Sequence, residues 1–165
     1  MGLGGVAIAI LPSIICLKLT FSDGLGEDIF WQPRTIPTDP ELISIGTNVK
    51  IASGVSFINH DIIPSMLNTK FSSHDFAPSF GCIEIGDNVM IGADVLILPN
   101  VKIGSNVIIG AGSVVTKDIP DNSVAAGIPC RVVGNFDDLV IKYTKREKMT
   151  TEEYWNEFKR KRSLF

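Results

Sequence analysis

Apolar residues recur every six positions along most of this 165-residue chain. The series consists of Ile45, Ile51 and Phe57 and, after an interruption, Ile85, Ile91, Ile97, Ile103, Ile109 and Val115. A second and mostly apolar series lies four residues after the first, at Val49, Val55, Asp61, Val89, Val95, Val101, Val107, Ser113 and Ile119. Because residues two apart lie on the same side of a strand, each pair predicts a short strand with two side chains in one interior.

The residue before each member of the second series belongs to a type that favours a sharp turn. These residues are Asn48, Gly54, His60, Asn88, Asp94, Asn100, Asn106, Gly112 and Asp118. Asn, Asp and Gly tolerate a left-handed backbone best, and His is enriched in it. A corner every six residues excludes the 3.6-residue period of a helix. Three corners close a triangular coil of about 18 residues, so we predict an all-β fold of stacked parallel strands.

The repeat is interrupted once, directly after a histidine. Phe57 and Ile85 lie 28 positions apart where six would suffice, so 22 extra residues, assigned to 62–83, leave the coil beside His60. Long loops in compact domains are usually functional or disordered. This one is too apolar for a solvated tail, and we expect it to fold over a neighbour.

Composition narrows the function classes. With 45% apolar and 20% charged residues, the chain is long enough for one domain with a substantial core. A net charge of −3 argues against nucleic acid as the main partner. Cys16, Cys82 and Cys130 are odd in number and widely spaced, which is typical of buried or inert thiols in a reducing, cytoplasmic compartment. The uncharged segment 1–17 has no basic start and contains Pro12, which favours a packed segment over a membrane span.

One stretch carries a family resemblance. "IGDNVMIGADVLILPNVKIGSNVIIGAGSVVTKDIPDNSVAAGIPCRVV" and the earlier "ISIGTNVKIASGVSFINHD" resemble the hexapeptide-repeat acyltransferases, most of all the branch of maltose, galactoside, xenobiotic and polysaccharide O-acetyltransferases. The resemblance covers roughly residues 41–133. It implies a left-handed parallel β-helix, acetyl-CoA as acyl donor, no metal, and a homotrimer with active sites between subunits. Spacing alone fixes no hand.

The same resemblance assigns roles to His60 and its neighbours. A histidine at this point is the family's general base, and an unperturbed pKa near 6.5 suits imidazole to that role. The alternative is that His60 only occupies a corner. We also place Asn59 and Asp61 on the acceptor side, although Asp61 could instead mark a strand end or orient His60. His74, in the loop and out of register, is either a substrate contact or a plain surface residue.

The family's cofactor segments match "GAGSVVTKD" and "PCRV". The resemblance therefore assigns coenzyme A binding to Ala93, Ala111, Thr116, Lys117 and Arg131. A small residue at Ala111 allows close backbone approach, and Lys117 and Arg131 carry charge for phosphates. The spacing puts His60, Asn100 and Asp118 at one corner of successive coils, with Lys117 about 10 Å from His60.

Met90 departs from the family pattern. Many relatives carry Trp at this position, beside the active-site groove. Met lacks an indole donor and adapts its shape more readily. We assign Met90 to the acceptor side, with a preference that cannot be transferred from Trp-bearing relatives.

Both ends depart from the six-residue period. Residues 1–40 suit an irregular segment that covers the first coil, although Trp31 and Arg34 could instead line an acceptor pocket. Residues 134–165 are helical in pattern. Thr150 and Glu153 are spaced as a capping box, and Tyr154 and Phe158 form an apolar pair.

The leading function is O-acetylation of a sugar or polysaccharide hydroxyl. N-acetylation of an amino sugar or xenobiotic is the enzymatic alternative. A metal-dependent hydratase of the same fold needs three histidine ligands, and the chain has two histidines. A trimeric scaffold without activity is the remaining alternative, and the isolated His60 beside a long insertion argues against it.

Overall fold

The computed structural model describes residues 25–162, which wind as a left-handed parallel β-helix with three faces. The first face contains β1 (Phe30–Trp31), β3 (Lys50–Ile51), β8 (Val89–Ile91), β11 (Val107–Ile109) and β13 (Ser123–Ala126). The second face contains β4 (Ser56–Phe57), β9 (Leu96–Ile97) and β12 (Val114–Val115). The third face contains β2 (Ile43–Ile45), β7 (Ile83–Ile85) and β10 (Val101–Ile103). The expected fold class is confirmed.

Strand register confirms the 18-residue coil through the middle of the helix. Val107 pairs with Val89, 18 positions earlier, and Val115 pairs with Ile97 in the same way. Both ends deviate from this length. Trp31 pairs with Ile51, 20 positions later, and Val107 pairs with Ser123, 16 positions later. The first coil is therefore two residues longer than the repeat, and the last coil is two residues shorter.

The interior is built from the predicted series. Every member of the six-residue series is at most 8% exposed, and most are fully buried. The second series is buried as well, including Ser113 and Ile119, whereas Asp61 is exposed. These side chains form one continuous core through the stacked coils. Full burial of one such aliphatic side chain contributes roughly 1.5–3 kcal/mol to the stability of the fold.

The corner between the third and first faces is a column of asparagines. Asn48, Asn88, Asn106 and Asn122 all have φ of 56°. Each amide Nδ2 donates to Oδ1 of the next asparagine, over 2.9, 3.0 and 2.9 Å. Asn serves twice here, because it accepts the left-handed backbone and its side chain links neighbouring coils.

The corner between the second and third faces differs from the prediction. Asn100 has the expected positive φ of 58°, but His60 and Asp118 are not among the described residues with positive φ. The chain leaves the coil after Asn59 and re-enters at Gly81, whose N–H donates to the Asn59 carbonyl over 2.7 Å. The corner assignments of His60 and Asp118 are therefore wrong. His60 belongs to the insertion, which leaves the coil before the corner, and the last coil is too short to place Asp118 at it.

The insertion has secondary structure of its own. β5 (His60–Asp61) and β6 (Ser79–Phe80) pair as an antiparallel ribbon at its base, and α1 (Ile63–Lys70) lies between them. Ile83, counted with the loop in the prediction, already belongs to β7. Ile62, Met66 and Phe80 are each more than half exposed in the single chain. Whether they cover a neighbouring subunit stays a prediction.

The two ends close the coil differently. The first described coil is irregular, runs from Leu25, and contains a 3-10 turn at Pro40–Leu42. After β13 the chain forms antiparallel β14 (Arg131–Asn135), then α2 (Phe136–Thr144) and α3 (Thr151–Arg162).

Two details of the ends bear on the predictions. The capping box is confirmed, because Glu153 Oε2 accepts from Thr150 N over 2.6 Å while Thr150 Oγ1 accepts from Glu153 N. None of the helices within residues 25–162 combines the length and the apolar character that a membrane span needs. The packing predicted for segment 1–17 and the state of Cys16 lie outside the described residues. Cys130 is buried as expected, whereas Cys82 is exposed, which leaves the inert alternative as a prediction for Cys82.

Candidate active site

His60 lies at the base of the insertion with one ring nitrogen turned inward. Its Nδ1 is 2.7 Å from Oδ2 of Asp39, a residue of the first coil. These are the only two buried side-chain nitrogen or oxygen atoms of residues 25–162 that make no aligned hydrogen bond. The two atoms face each other at close range, although the contact is not aligned as a straight hydrogen bond. A carboxylate in this position favours the tautomer with the proton on Nδ1, which leaves Nε2 as the basic nitrogen.

Asn59 holds the backbone of Asp39 in place. Its Nδ2 donates to the Asp39 carbonyl over 2.5 Å, and the residue is 1% exposed. In the single chain the amide of Asn59 is buried and its Nδ2 is already bonded, and a contact of Asn59 with the acceptor stays a prediction. Asn59 fixes the backbone of Asp39, the residue whose carboxylate faces His60.

Asp61 points to the helix that follows. Its Oδ1 accepts from the Ile63 N–H over 2.9 Å, at the start of α1. Successive residues of a strand point to opposite sides, so Asp61 faces away from the Asp39 contact. The group that faces His60 Nδ1 is therefore Asp39 and not its sequence neighbour.

His74 packs in an aromatic group within the insertion. Its ring stacks on Phe76 at 5.5 Å and meets Phe71 edge-on at 6.3 Å. The residue against the His60 ring is instead Phe80, at 6.1 Å. The structure thus gives His74 a packing role within the insertion, and a contact with substrate stays a prediction.

The residues assigned to coenzyme A border the second face. Ala93 precedes β9 and Ala111 precedes β12, while Thr116 and Lys117 follow β12 at the other edge. Arg131 follows a turn that extends this face, since Val114 N donates to Gly127 O and Cys130 N donates to Val114 O. Lys117 and Arg131 are both exposed at this end.

His60 reaches the opposite end of the same face. It lies just beyond β4, and two strand spacings of about 4.8 Å separate β4 from β12. The distance along the axis from the His60 end to the Lys117 end is therefore about 10 Å. Side chains of Leu96 and Val114 are half-buried on the outer surface between the two ends, which gives an apolar strip with cations at one end and an imidazole at the other.

Met90 does not share this surface within one chain. It lies on the first face, 44% exposed, between Lys50 and Ile108 of the neighbouring strands. In a triangular coil the first face lies opposite the corner between the second and third faces. His60 and Met90 are therefore on opposite sides of one chain, and a site that contains both needs a second chain.

Trp31 is part of the core. It is 6% exposed, its ring stacks on Phe57 at 5.7 Å, and its Nε1 donates to the Pro33 carbonyl. The packing alternative therefore holds for Trp31, whereas Arg34 is exposed.

Comparisons with known proteins agree with this geometry. Residues 82–117 match the family model "Bacterial transferase hexapeptide (six repeats)". Galactoside O-acetyltransferase of Lactococcus lactis is 33% identical over 156 residues, covering 84% of this chain and 75% of that protein. The chain belongs to the hexapeptide-repeat acetyltransferases.

Two further relatives of this acetyltransferase bear on its site. Galactoside O-acetyltransferase of Escherichia coli is 45% identical over 69% of this chain and 54% of that protein. A hexapeptide-repeat acetyltransferase of Vibrio cholerae, solved with acetyl coenzyme A, is 26% identical with a TM-score of 0.59 over 68% of this chain and 59% of that chain. The enzyme class and the acyl donor expected from the sequence are thus confirmed for the family. The chain spans from 29% to 75% of the length of the curated relatives it matches.

Asp39 is the site residue that the sequence analysis missed. It lies in the irregular segment before the repeats begin, where no six-residue phase locates it. The 20-residue length of the first coil places Asp39 directly beside Asn59. The six-residue pattern does not predict the 20-residue length of the first coil.

Proposed function

We propose that this chain transfers the acetyl group of acetyl-CoA to a hydroxyl of a sugar or polysaccharide, with His60 as general base. The observation that carries the proposal is the contact between His60 Nδ1 and the Asp39 carboxylate. It holds the imidazole with Nε2 available, on a side chain that is 33% exposed. The two galactoside O-acetyltransferases among the relatives support a sugar hydroxyl as acceptor.

The chemistry asks two things of His60. Nε2 accepts the proton of the attacking acceptor hydroxyl, and the resulting imidazolium returns a proton to the departing thiolate. Asp39 lies against Nδ1 and stabilises the positive charge that appears on the ring between these steps. Proton transfer of this kind contributes about 10²- to 10⁴-fold to the rate.

The second face fits the donor. Bound acetyl-CoA would supply an activated acetyl thioester at the His60 end of this face. Lys117 and Arg131, both exposed, would pair with its phosphates, and Leu96 and Val114 would line the path between. Ala93 and Ala111, at the start of the face, leave space beside the backbone. Thr116 adds a hydroxyl near Lys117.

We also propose that the active enzyme is a homotrimer with its sites between subunits. Met90 and His60 lie on opposite sides of one chain, so together they require two chains. The exposed apolar side chains of the insertion, among them Ile62, Met66 and Phe80, supply surface for such contacts. The cysteine pattern and a coenzyme A donor favour a cytoplasmic location.

A thiol-release assay tests the proposal. Purified protein would be mixed with acetyl-CoA and a panel of sugars, amino sugars and aminoglycosides, and free coenzyme A would be measured. We expect turnover with a sugar hydroxyl, and a loss of about 10²- to 10⁴-fold in kcat for His60→Ala with unchanged coenzyme A affinity. Turnover confined to amines would favour N-acetylation, and near-native turnover of His60→Ala would contradict the general base.

A further inference from the structure

The insertion contains a cleft next to the proposed catalytic residue. The cleft lies between α1 and residues 75–78 and measures about 590 Å³. Its lining begins at Asp61, the residue that follows His60 in β5. We call it the insert cleft, defined by Asp61, Ser65, Thr69, Asp75, Phe76 and Pro78.

The two walls of the insert cleft are tied to each other. Asn68, on α1, donates from Nδ2 to the Phe76 carbonyl over 2.9 Å and accepts at Oδ1 from the Phe76 N–H over 2.7 Å. The ring of His74 stacks against the ring of Phe76. The cleft therefore keeps its shape without a ligand, which lowers the entropy cost of binding one.

The lining of the insert cleft mixes hydrogen-bonding groups with apolar surface. Ser65 contributes a hydroxyl, and the Thr69 hydroxyl, which donates to the Ser65 carbonyl over 3.0 Å, can still accept a hydrogen bond. Asp61 has one carboxylate oxygen beyond the oxygen that accepts from Ile63. Phe76 and Pro78 add apolar ring surface. Five of the nine lining residues are polar, more than in a typical apolar small-molecule pocket, and this suits a ligand with many hydroxyls; the volume lies in the usual range for ligand sites.

Charge narrows the ligand class. The carboxylates of Asp61 and Asp75 accept hydrogen bonds from hydroxyl groups, and none of the described residues that line the cleft is Lys or Arg. An anionic sugar would meet two like charges with no cation to offset them. A sugar ring without negative charge matches both the acceptors and the apolar surface.

We propose that the insert cleft binds an uncharged sugar residue of an oligosaccharide acceptor, next to the residue that His60 activates. This inference rests on the proposed function for the role of His60. Because His60 and Asp61 point to opposite sides of β5, the cleft is not the reacting position. It holds a neighbouring residue of the same chain, so the natural acceptor is longer than a monosaccharide.

The test is direct binding to a glycan array that carries neutral and uronic-acid oligosaccharides together with their monosaccharides. We expect neutral oligosaccharides to bind, with weaker binding of monosaccharides and none of uronic-acid chains. Asp75→Ala and Thr69→Val should lower affinity for the best neutral oligosaccharide, Asp75→Ala by about 10-fold. The matched control is Ser72→Ala, an exposed residue of the insertion outside the cleft lining, which should bind as wild type.

The outcomes separate this inference from the proposed function. His60→Ala should keep its array binding, because the cleft does not need the base. Array binding without acetyl transfer would contradict the proposed function but would still support the insert cleft as a sugar-binding site. Preferential binding of anionic glycans, binding of no glycan, or equal effects of Asp75→Ala and Ser72→Ala would rule out the insert cleft as a site for neutral sugars.

Discussion

The carboxylate of Asp39 and the imidazole of His60 meet at 2.7 Å, although one belongs to the irregular first coil and the other to the base of the insertion. Asn59 fixes this meeting by holding the Asp39 carbonyl from the next coil. Two departures from the regular repeat, a long first coil and an exit after Asn59, therefore create the arrangement on which the proposed chemistry depends.

Replacing Asp39 by Asn should lower kcat by at least about tenfold, but by less than His60→Ala, because the base remains while its charge partner is lost. Thermal stability and coenzyme A affinity should stay close to wild type. Asp28→Asn is the matched control, since Asp28 pairs with Lys50 in an exposed ion pair on the first face. If the two Asn variants had equal kcat, Asp39 would have no part in catalysis.

Lys117→Ala and Arg131→Ala should weaken coenzyme A more than dephospho-coenzyme A or pantetheine, because a cation gains most from a phosphate group. Titration calorimetry with the three ligands measures this difference. Lys142→Ala, in the last turn of α2, controls for the loss of one surface cation. Equal weakening of all three ligands would rule out phosphate contacts.

Much of the fold follows from the sequence because its cause is local. Each Val or Ile of the repeat must face the interior, and each Asn at a corner needs the left-handed backbone, so six residues decide one strand and one turn. The site depends instead on residues outside the repeat. Asp39 reaches His60 only because the first coil has 20 residues, and such lengths reflect tertiary packing rather than local preference.

The displacement of His60 illustrates the same limit. Its type and spacing fit a corner, but in the strand register the returning chain puts Cys82 in that place, opposite the corner residue Asn100. The backbone preference of a single residue does not predict which residue fills the corner, since that depends on where the insertion leaves and rejoins the coil. The predicted catalytic residue is therefore the same, while the reason for its position is different.

Gly81→Ala should destabilise the protein by about 1–3 kcal/mol through overpacking. A Cβ at this position would lie 2.6 Å from Pro99 Cβ and 2.8 Å from Asn100 Cγ. Gly134→Ala is the matched control, because its nearest neighbour would be Val124 Cβ at 3.8 Å. Urea unfolding measures both variants. The close stacking at the return point would be refuted if Gly81→Ala unfolded at the same urea concentration as Gly134→Ala.

The cysteines should react very differently with an alkylating reagent. Cys82 is exposed beside the point where the insertion returns, so it should label within minutes in the native protein. Cys130 is buried, and burial raises the pKa of its thiol. Because the thiolate is the reactive species, Cys130 is protected in two ways: the reagent cannot reach it, and only a small fraction of it is thiolate.

Peptide mapping by mass spectrometry separates the two thiols, and labelling in denaturant gives the reference rate for each. Raising the pH from about 7 to 8.5 should leave Cys130 protected in the native state, since a raised pKa keeps the thiol protonated to higher pH. Its labelling should appear only with unfolding. Native labelling of Cys130 at the rate of Cys82 would mean that the turn after Gly127 opens readily, and with it the end of the second face assigned to the phosphates.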